Sequence, residues 1–314
     1  MVRSNIYTLS LVCLLVGFFI LSCSNSNDSI LNSLDTDDGI GLSNDGSSGE
    51  ITLYRVNGDV IEKVRDFKVS GVNAAYQKDV IKHQELWETI KKVVPPSYRN
   101  YMGEFLIFNG EESGTAGFVF ELNDELSKWQ MGIDITLADD EQELLYTVIH
   151  EFGHILTLNI TQVDGKTDES NCPRFFTGEG CARDASYINN LHENYWLDIW
   201  SEFLNIGDSS SEHEAFYNKY SNRFVTNYAS TNPGEDIAEV FTIFVTRNSK
   251  PSGSTVAEQK ILQMYNQEEL MDLRDYIRNG TTQAKGLAHV LPEPGSWKRA
   301  TTIGDHHSHH IHSH

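Results

Sequence analysis

Basic residues are scarce in this chain of 314 residues, which has 24 lysines and arginines against 45 aspartates and glutamates, a formal net charge of −21. The basic residues are dispersed and form no run. A surface that binds nucleic acid needs clustered lysine and arginine to neutralise phosphates. The composition therefore argues against a nucleic-acid partner and predicts a solvated acidic surface.

Long apolar runs are scarce as well. One runs from Leu9 to Leu21, follows the positively charged Arg3, and is too short for a membrane-spanning helix, as in an export signal. It ends in "ILSC", which resembles the lipobox of bacterial lipoproteins. The resemblance implies a signal peptide over residues 1–22, a lipid anchor on Cys23, and localisation to the outer membrane, facing the periplasm or the cell surface. A plain secretory peptide with an incidental cysteine is the alternative.

Cysteine is also rare, with four in the chain. Cys13 would leave with the signal and Cys23 would carry lipid, so Cys172 and Cys181 remain for the exported domain. In an exported protein, two cysteines that close a loop containing glycine and proline predict a disulfide. A second metal site is less favoured, because no further cysteine or close histidine accompanies the pair.

The rest of the chain divides by composition into three parts. Residues 23–50 are rich in serine, asparagine, aspartate and glycine, which predicts a flexible tether. Residues 51–305 are predicted to form one globular domain. Residues 306–314 are a His-rich tail, either native or an expression tag, whose histidines we exclude from the site.

Apolar periodicity indicates a helix followed by three short antiparallel strands, then further helices with no βαβ alternation. This order predicts the α+β class. The loop-rich insertion over 160–220 contains one predicted helix, around "HENYWLDIWSEFL". The other predicted helices lie within 76–94, 138–159, 235–246 and 255–279, and the three strands lie within 104–110, 116–122 and 129–137.

"TVIHEFGHILTL" (147–158) holds two histidines four residues apart. His150 and His154 lie on one face of a helix, so both can direct a ring nitrogen at one ion. Glu151 falls beside that ion, where it can take a proton from water. The alternative is a helix with two half-exposed histidines, but this helix is mostly apolar, where unpaired polar groups are costly to bury. The pattern therefore predicts a zinc site.

A catalytic zinc needs three protein ligands and one open position. Metzincins take the third from a histidine after a glycine, but this chain has Thr157 and Ile160 at those places. A carboxylate from a later helix is the other solution. Glu235 and Glu239 share a helix face, where like charges are unfavourable unless a cation lies between them. An acidic, solvated first turn is the alternative, with Asp236 as a substitute ligand if the register differs.

"YASTNPGEDIAEVF" (228–241) resembles the metal-binding helix of the anthrax lethal factor catalytic domain and its relatives. It is more closely similar to the substrate import-associated zinc metallohydrolase lipoproteins of Bacteroidetes, which carry Tyr-Ala and Glu-Asp-x-Ala-Glu. The resemblance implies a zincin-like fold and zinc as cofactor. It implies that Glu235 is the third zinc ligand and that Glu239 accepts a hydrogen bond from a zinc histidine. It also implies that the Tyr228 hydroxyl stabilises the oxyanion or protonates the leaving group; packing is the alternative role for this tyrosine. The long insertion after His154 departs from the toxin.

The resemblance implies a zinc-dependent, gluzincin-like metallopeptidase that hydrolyses peptide or protein substrates at the cell envelope, with an outer-membrane import complex as a candidate partner. A zinc hydrolase of non-peptide amides, a non-catalytic zincin-fold binding lipoprotein and a secreted toxin or host-protein protease are the alternatives. By analogy with zincins, "WQMGIDI" (129–135) is expected to be the edge strand that aligns an extended peptide.

Overall fold

The computed structural model describes residues 49–207 and 209–281. The predicted signal peptide, Cys23, most of the tether and the His-rich tail lie outside these residues. Within the described ranges, no helix has both the length and the hydropathy to cross a bilayer.

The described residues form strands and helices interspersed along the chain. The strands are β1 Glu50–Asn57, β2 Val60–Asp66, β3 Met102–Phe108, β4 Gly117–Glu121, β5 Trp129–Asp134, β6 Val163–Asp164 and β7 Cys181–Ala182. The helices are α1 Gly71–Tyr76, α2 Val80–Val93, α3 Pro96–Arg99, α4 Glu141–Leu158, α5 Tyr187–Tyr195, α6 Leu197–Phe203, α7 Ser210–Tyr220, α8 Pro233–Thr246, α9 Val256–Met264 and α10 Glu268–Gly280.

One five-stranded mixed sheet has the order β2-β1-β3-β5-β4. The β1 strand is antiparallel to β2 and β3, β5 is parallel to β3, and β4 is antiparallel to β5. Helices α2 and α4 contact each other, α4 also packs against β4 and β5, and its other side contacts α8. The apolar faces of these elements join in one continuous core. The mixed sheet with associated helices confirms the α+β class.

The prediction that "WQMGIDI" forms the edge strand is wrong. β5 lies between β3 and β4, and all six of its residues are buried. A strand covered on both faces needs hydrogen-bonding neighbours on both sides, which favours an interior place. The sheet therefore has β4 at the edge on this side. The predicted antiparallel arrangement is also wrong for β3 and β5, which pair in parallel.

Other elements also differ from the prediction, among them α7, which the predicted single helix of the insertion does not include. The β1–β2 hairpin precedes the first helices and is absent from the prediction. The strands of the sheet are therefore not consecutive in the chain, because three helices lie between β2 and β3. The helix expected around residues 192–204 is two helices, α5 and α6, separated at Trp196. The segment over 255–279 likewise contains two helices, α9 and α10. In both places a short turn lets each helix direct its own apolar face at the core.

Candidate metal centre

Helix α4 carries the two predicted histidines. Asp140 caps it by accepting hydrogen bonds from the backbone N–H groups of Gln142 and Glu143. From Leu144 to Leu158 every residue of the helix is buried, since α2, α5, α8 and the sheet surround it. His150 and His154 are therefore held in the interior, and their side chains are 1% and 3% exposed.

Helix α8 carries the predicted carboxylate. Its N-cap Asn232 accepts a hydrogen bond from the backbone N–H of Glu235, and Pro233 occupies the first turn, where a missing N–H costs nothing. The helix approaches α4 closely: a Cβ placed on Gly153 would lie 3.1 Å from Ala238 Cα. These small residues let the first turn of α8 reach the two histidines.

His150, His154 and Glu235 converge at one point. His150 Nε2 lies 3.1 Å from His154 Nε2 and 3.1 Å from Glu235 Oε2, and His154 Nε2 lies 3.3 Å from the same oxygen. In tetrahedral zinc sites, Zn–N and Zn–O bonds of about 2.0–2.2 Å place neighbouring ligand atoms about 3.3 Å apart. The triangle thus has the dimensions that one ion requires, and the three residues could hold a metal ion.

Glu239 lies one helical turn beyond Glu235 and accepts a hydrogen bond from the other nitrogen of His150. Its Oε1 lies 2.8 Å from His150 Nδ1. Thr226 donates to its Oε2 at 2.7 Å, and the Tyr146 hydroxyl donates to the same carboxylate at 3.1 Å. A carboxylate held in this way fixes the ring orientation and the tautomer of a metal-binding histidine, leaving Nε2 for the ion.

The charges around these atoms favour a cation. Burial alone would lower the pKa of His150, but hydrogen bonds to Glu235 and Glu239 outweigh it and hold the pKa well above its usual value. Burial would likewise raise the pKa of Glu235, yet the two histidines hold it well below its usual value. Two buried carboxylates therefore need positive charge between them. A proton on His150 provides it without metal, and a divalent ion would replace that proton.

Glu151 and Tyr228 lie at the same centre. Glu151 is fully buried on α4, and Tyr228, in a short 3-10 turn before α8, is 6% exposed. The Tyr228 ring lies 5.8 Å from the His150 ring. Burial and the carboxylates of Glu235 and Glu151 raise the pKa of Tyr228 well above its usual value. Its hydroxyl is therefore protonated at neutral pH, and it donates a hydrogen bond to the Glu235 carboxylate.

Asp236 is directed away from the three ligand atoms. It forms a fully buried ion pair with Lys260 and accepts a hydrogen bond of 2.8 Å from the Trp196 indole. The Lys260 ammonium also lies 4.5 Å from the centre of the Phe224 ring. Adjacent acidic residues of α8 thus take different partners, and the helical register brings Glu235, not Asp236, to the histidines.

The two predicted cysteines form a disulfide, Cys172–Cys181, which confirms the pairing. It closes a loop beside a cavity that reaches His154 and Glu235. His83 is buried in the core, where its Nδ1 lies 2.7 Å from the Tyr54 hydroxyl oxygen.

Sequence reasoning missed the residues that hold Glu239. Tyr146 stands four residues before His150 on the same face of α4, which is a signal that spacing could have given. Thr226 precedes Tyr228 in an irregular segment, where no periodicity marks it.

The chain was compared with protein-family models, with curated proteins and with solved structures. None of the three comparisons finds a match.

Proposed function

We propose that this chain is a zinc-dependent, gluzincin-like peptidase with a zincin-like fold. The observation that carries the proposal is the triangle of ligand atoms from His150, His154 and Glu235, with sides of 3.1–3.3 Å. Two imidazoles and one carboxylate form a zinc ligand set that leaves a fourth position for water or substrate. When bound, zinc would act as a Lewis acid that polarises a carbonyl and lowers the pKa of water towards neutrality.

The chain's own residues supply the proton transfers. Glu151 follows the first ligand on α4 and would take the proton of the attacking water, then return it to the leaving amine. The Tyr228 hydroxyl, kept protonated by burial and the nearby carboxylates, would donate a hydrogen bond to the oxyanion. Glu239 would hold the His150 ring in place during the reaction.

Strand β4 supports a peptide as the substrate. It is the outer strand of the sheet on the side of α4, within the described residues. A Cβ placed on Gly117 would lie 3.2 Å from Glu151 Cγ and 2.7 Å from Thr147 Cγ2, so the strand passes directly beside the proposed base. An extended peptide can add to such an edge by backbone hydrogen bonds. A small non-peptide amide would not need it.

The cellular setting is part of the same proposal. The lipobox-like "ILSC" supports an outer-membrane lipoprotein anchored through Cys23, and the motif around Tyr228 and Glu235 supports a relation to the import-associated zinc metallohydrolases. A protein or peptide captured by an outer-membrane import complex would then be the substrate.

Zinc content and proteolysis test the proposal together. The purified protein and its Glu151→Gln variant are dialysed against zinc, and each is incubated with a library of unstructured peptides whose products are identified by mass spectrometry. We expect equal zinc in both proteins and cleavage by the wild type alone, since the variant loses the base but no ligand. Equal zinc with no cleavage by either protein would favour a binding module, and cleavage by both would remove Glu151 from its role.

A further inference from the structure

A pocket opens directly beside the candidate metal centre. It has a cavity volume of about 110 Å³, and His154 and Glu235 form part of its lining. The remaining lining is mostly apolar and comes from segments far apart in the chain. The main apolar contributors are Leu158, Phe175, Ile188, Trp200, Phe203 and Leu204. A substrate side chain bound here would therefore lie next to the bond that reacts at the candidate metal centre.

The volume and the lining specify the kind of group. An apolar cavity of about 150 Å³ accommodates benzene, so this open pocket of about 110 Å³ encloses a branched aliphatic side chain and most of a phenyl ring. Leu204 is 58% exposed, which leaves apolar surface in contact with water in the absence of substrate. A substrate side chain that covers this surface gains binding free energy roughly in proportion to the area covered.

The charged residues that line the pocket further restrict the substrate side chain that can bind there. Among the residues that the structure describes, Glu169 and Glu179 are the acidic residues of its lining apart from Glu235, and none of the lining residues is a lysine or arginine. An acidic substrate side chain would be repelled and would find no cation. A basic side chain could pair with those carboxylates, so charge alone does not exclude it, and it is the mostly apolar lining that favours a neutral side chain. A neutral apolar side chain fits both the wall and the charge.

One wall of the pocket is fixed in advance by the disulfide. Cys172 and Cys181 enclose a loop whose residues 175–179 line the pocket. Backbone hydrogen bonds close the loop, from Thr177 N to Gly180 O at 2.9 Å and from Ala182 N to Phe175 O at 2.9 Å. The Phe175 ring stacks on His192 of α5 with centroids 4.3 Å apart. Because the loop is held at both ends and in its middle, it need not order when substrate binds.

We infer that this pocket receives a large apolar side chain, of leucine to phenylalanine size, from a residue flanking the bond that is hydrolysed. The inference rests on the proposed peptidase function. The insertion over 160–220 thereby determines specificity, while α4 and α8 provide the chemistry.

Two tryptophan substitutions test the pocket. Leu204→Trp enlarges a side chain that lines the pocket and is designed to reduce its volume, whereas Leu197→Trp adds the same side chain to the other end of α6, at a leucine that is 57% exposed and is not among the lining residues. Each variant is compared with wild type on peptides that differ only at the residues flanking the cleaved bond: leucine, phenylalanine, alanine, aspartate or arginine.

We expect the wild type to favour leucine or phenylalanine over alanine at one flanking position by about tenfold or more in kcat/KM. Leu204→Trp should lose that preference, keep its zinc and still cleave the alanine peptides, and Leu197→Trp should behave as wild type. Cleavage with no preference for any flanking residue, a preference for arginine, or equal effects of the two variants would overturn the inference while leaving the peptidase function in place.

A binding measurement separates the inference from the proposed reaction. Zinc-loaded Glu151→Gln protein is titrated calorimetrically with the same peptides. Tighter binding of the leucine or phenylalanine peptides, lost in the Glu151→Gln/Leu204→Trp double variant, supports the pocket even if no turnover is found. Binding that is absent or indifferent to the flanking residue contradicts it.

Discussion

Around the metal centre, polar side chains are held by buried hydrogen bonds between two long helices, whereas the adjoining pocket is walled by apolar side chains from short segments and a disulfide loop. In the centre, a small shift of α8 would separate ligand atoms that now lie 3.1–3.3 Å apart. In the pocket, no single contact is decisive, because the binding free energy that an apolar wall contributes is roughly proportional to the apolar area that the substrate covers. The two regions should therefore respond differently to mutation: abrupt loss in the centre and graded change in the pocket.

Removal of a ligand should have the largest effect. Glu235→Ala takes one of three donor atoms from the centre and should abolish zinc binding under chelator competition, a greater loss than that expected for any surrounding residue. Zinc per chain, measured by atomic emission as the difference from wild type, cancels any zinc held by the His-rich tail. Retention of zinc as tight as in the wild type would mean that another residue is the third ligand.

The neighbouring acidic residue should affect stability instead. Asp236→Ala leaves the Lys260 ammonium buried without its carboxylate, and breaking a buried ion pair in this way costs about 3–5 kcal/mol. Denaturant unfolding should show this loss, while the folded variant still binds zinc. The double variant Asp236→Ala/Lys260→Met, which buries no charge at this pair, should recover much of the stability. Failure to bind zinc when folded would extend the metal centre to Asp236.

Loss of the disulfide tests the pocket wall. Cys172→Ser/Cys181→Ser frees a loop closed across a sequence separation of nine residues, for which loop-closure entropy predicts a cost of roughly 2–3 kcal/mol. Thermal unfolding measures that cost. Zinc binding should remain unchanged and the preference for leucine over alanine peptides should weaken. A parallel loss of zinc would show that the two regions are not separable.

Glu239→Ala should weaken zinc binding without abolishing it. The variant removes the acceptor that orients His150, a change that typically costs 10–100-fold in metal affinity. Thr226→Val, which removes one of the hydrogen bonds to Glu239, is the milder comparison and should reduce affinity less. Competition with a chelator of known affinity measures both. Equal affinities for wild type and Glu239→Ala would make this residue a packing group.

The smallest expected effect is a pH dependence of stability that arises from His192, which packs against the pocket residue Phe175. Burial against Phe175 and Trp200 lowers the pKa of His192 from 6.5 to about 4. The unfolded chain then binds a proton between those pH values that the folded chain does not, so the free energy of unfolding should fall as pH drops from about 6.5 to 4. The shift implies about 3 kcal/mol, which solvent screening of this incompletely buried group reduces to roughly 1–2 kcal/mol. His192→Phe should lack this part of the pH dependence. The difference between the two proteins isolates it from the histidines of the metal centre.

The sequence allows prediction of the centre because its residues obey helical spacing. His150 and His154 are separated by one turn of α4, and Glu235 and Glu239 by one turn of α8, so each pair can be recognised from local sequence. The contact between the two helices is a tertiary interaction that local spacing does not specify. Both helices, however, have an apolar face, which indicates that each packs in the core.

The pocket could not be predicted in this way. Leu158, Phe175, Trp200 and their neighbours have no common spacing, and each is an ordinary apolar residue within its own segment. The edge position of β4 had the same difficulty. Its apolar run resembles that of β5, and only the pairing of β5 with β3 shows which strand is interior.

The contact between Gly153 and Ala238 bears on which ion the protein accepts. A Cβ on Gly153 would lie 3.3 Å from Ala238 Cβ, so the absence of a side chain on Gly153 is what lets α4 and α8 approach each other this closely. Zinc ligands lie about 2.0–2.2 Å from the ion and calcium ligands about 2.3–2.6 Å. Any increase in the helix separation would enlarge the ligand triangle and shift its fit from small ions towards larger ones. If the centre binds zinc as proposed, its fit to the ionic radius would thus depend on Gly153 and Ala238, which are not among the candidate ligands.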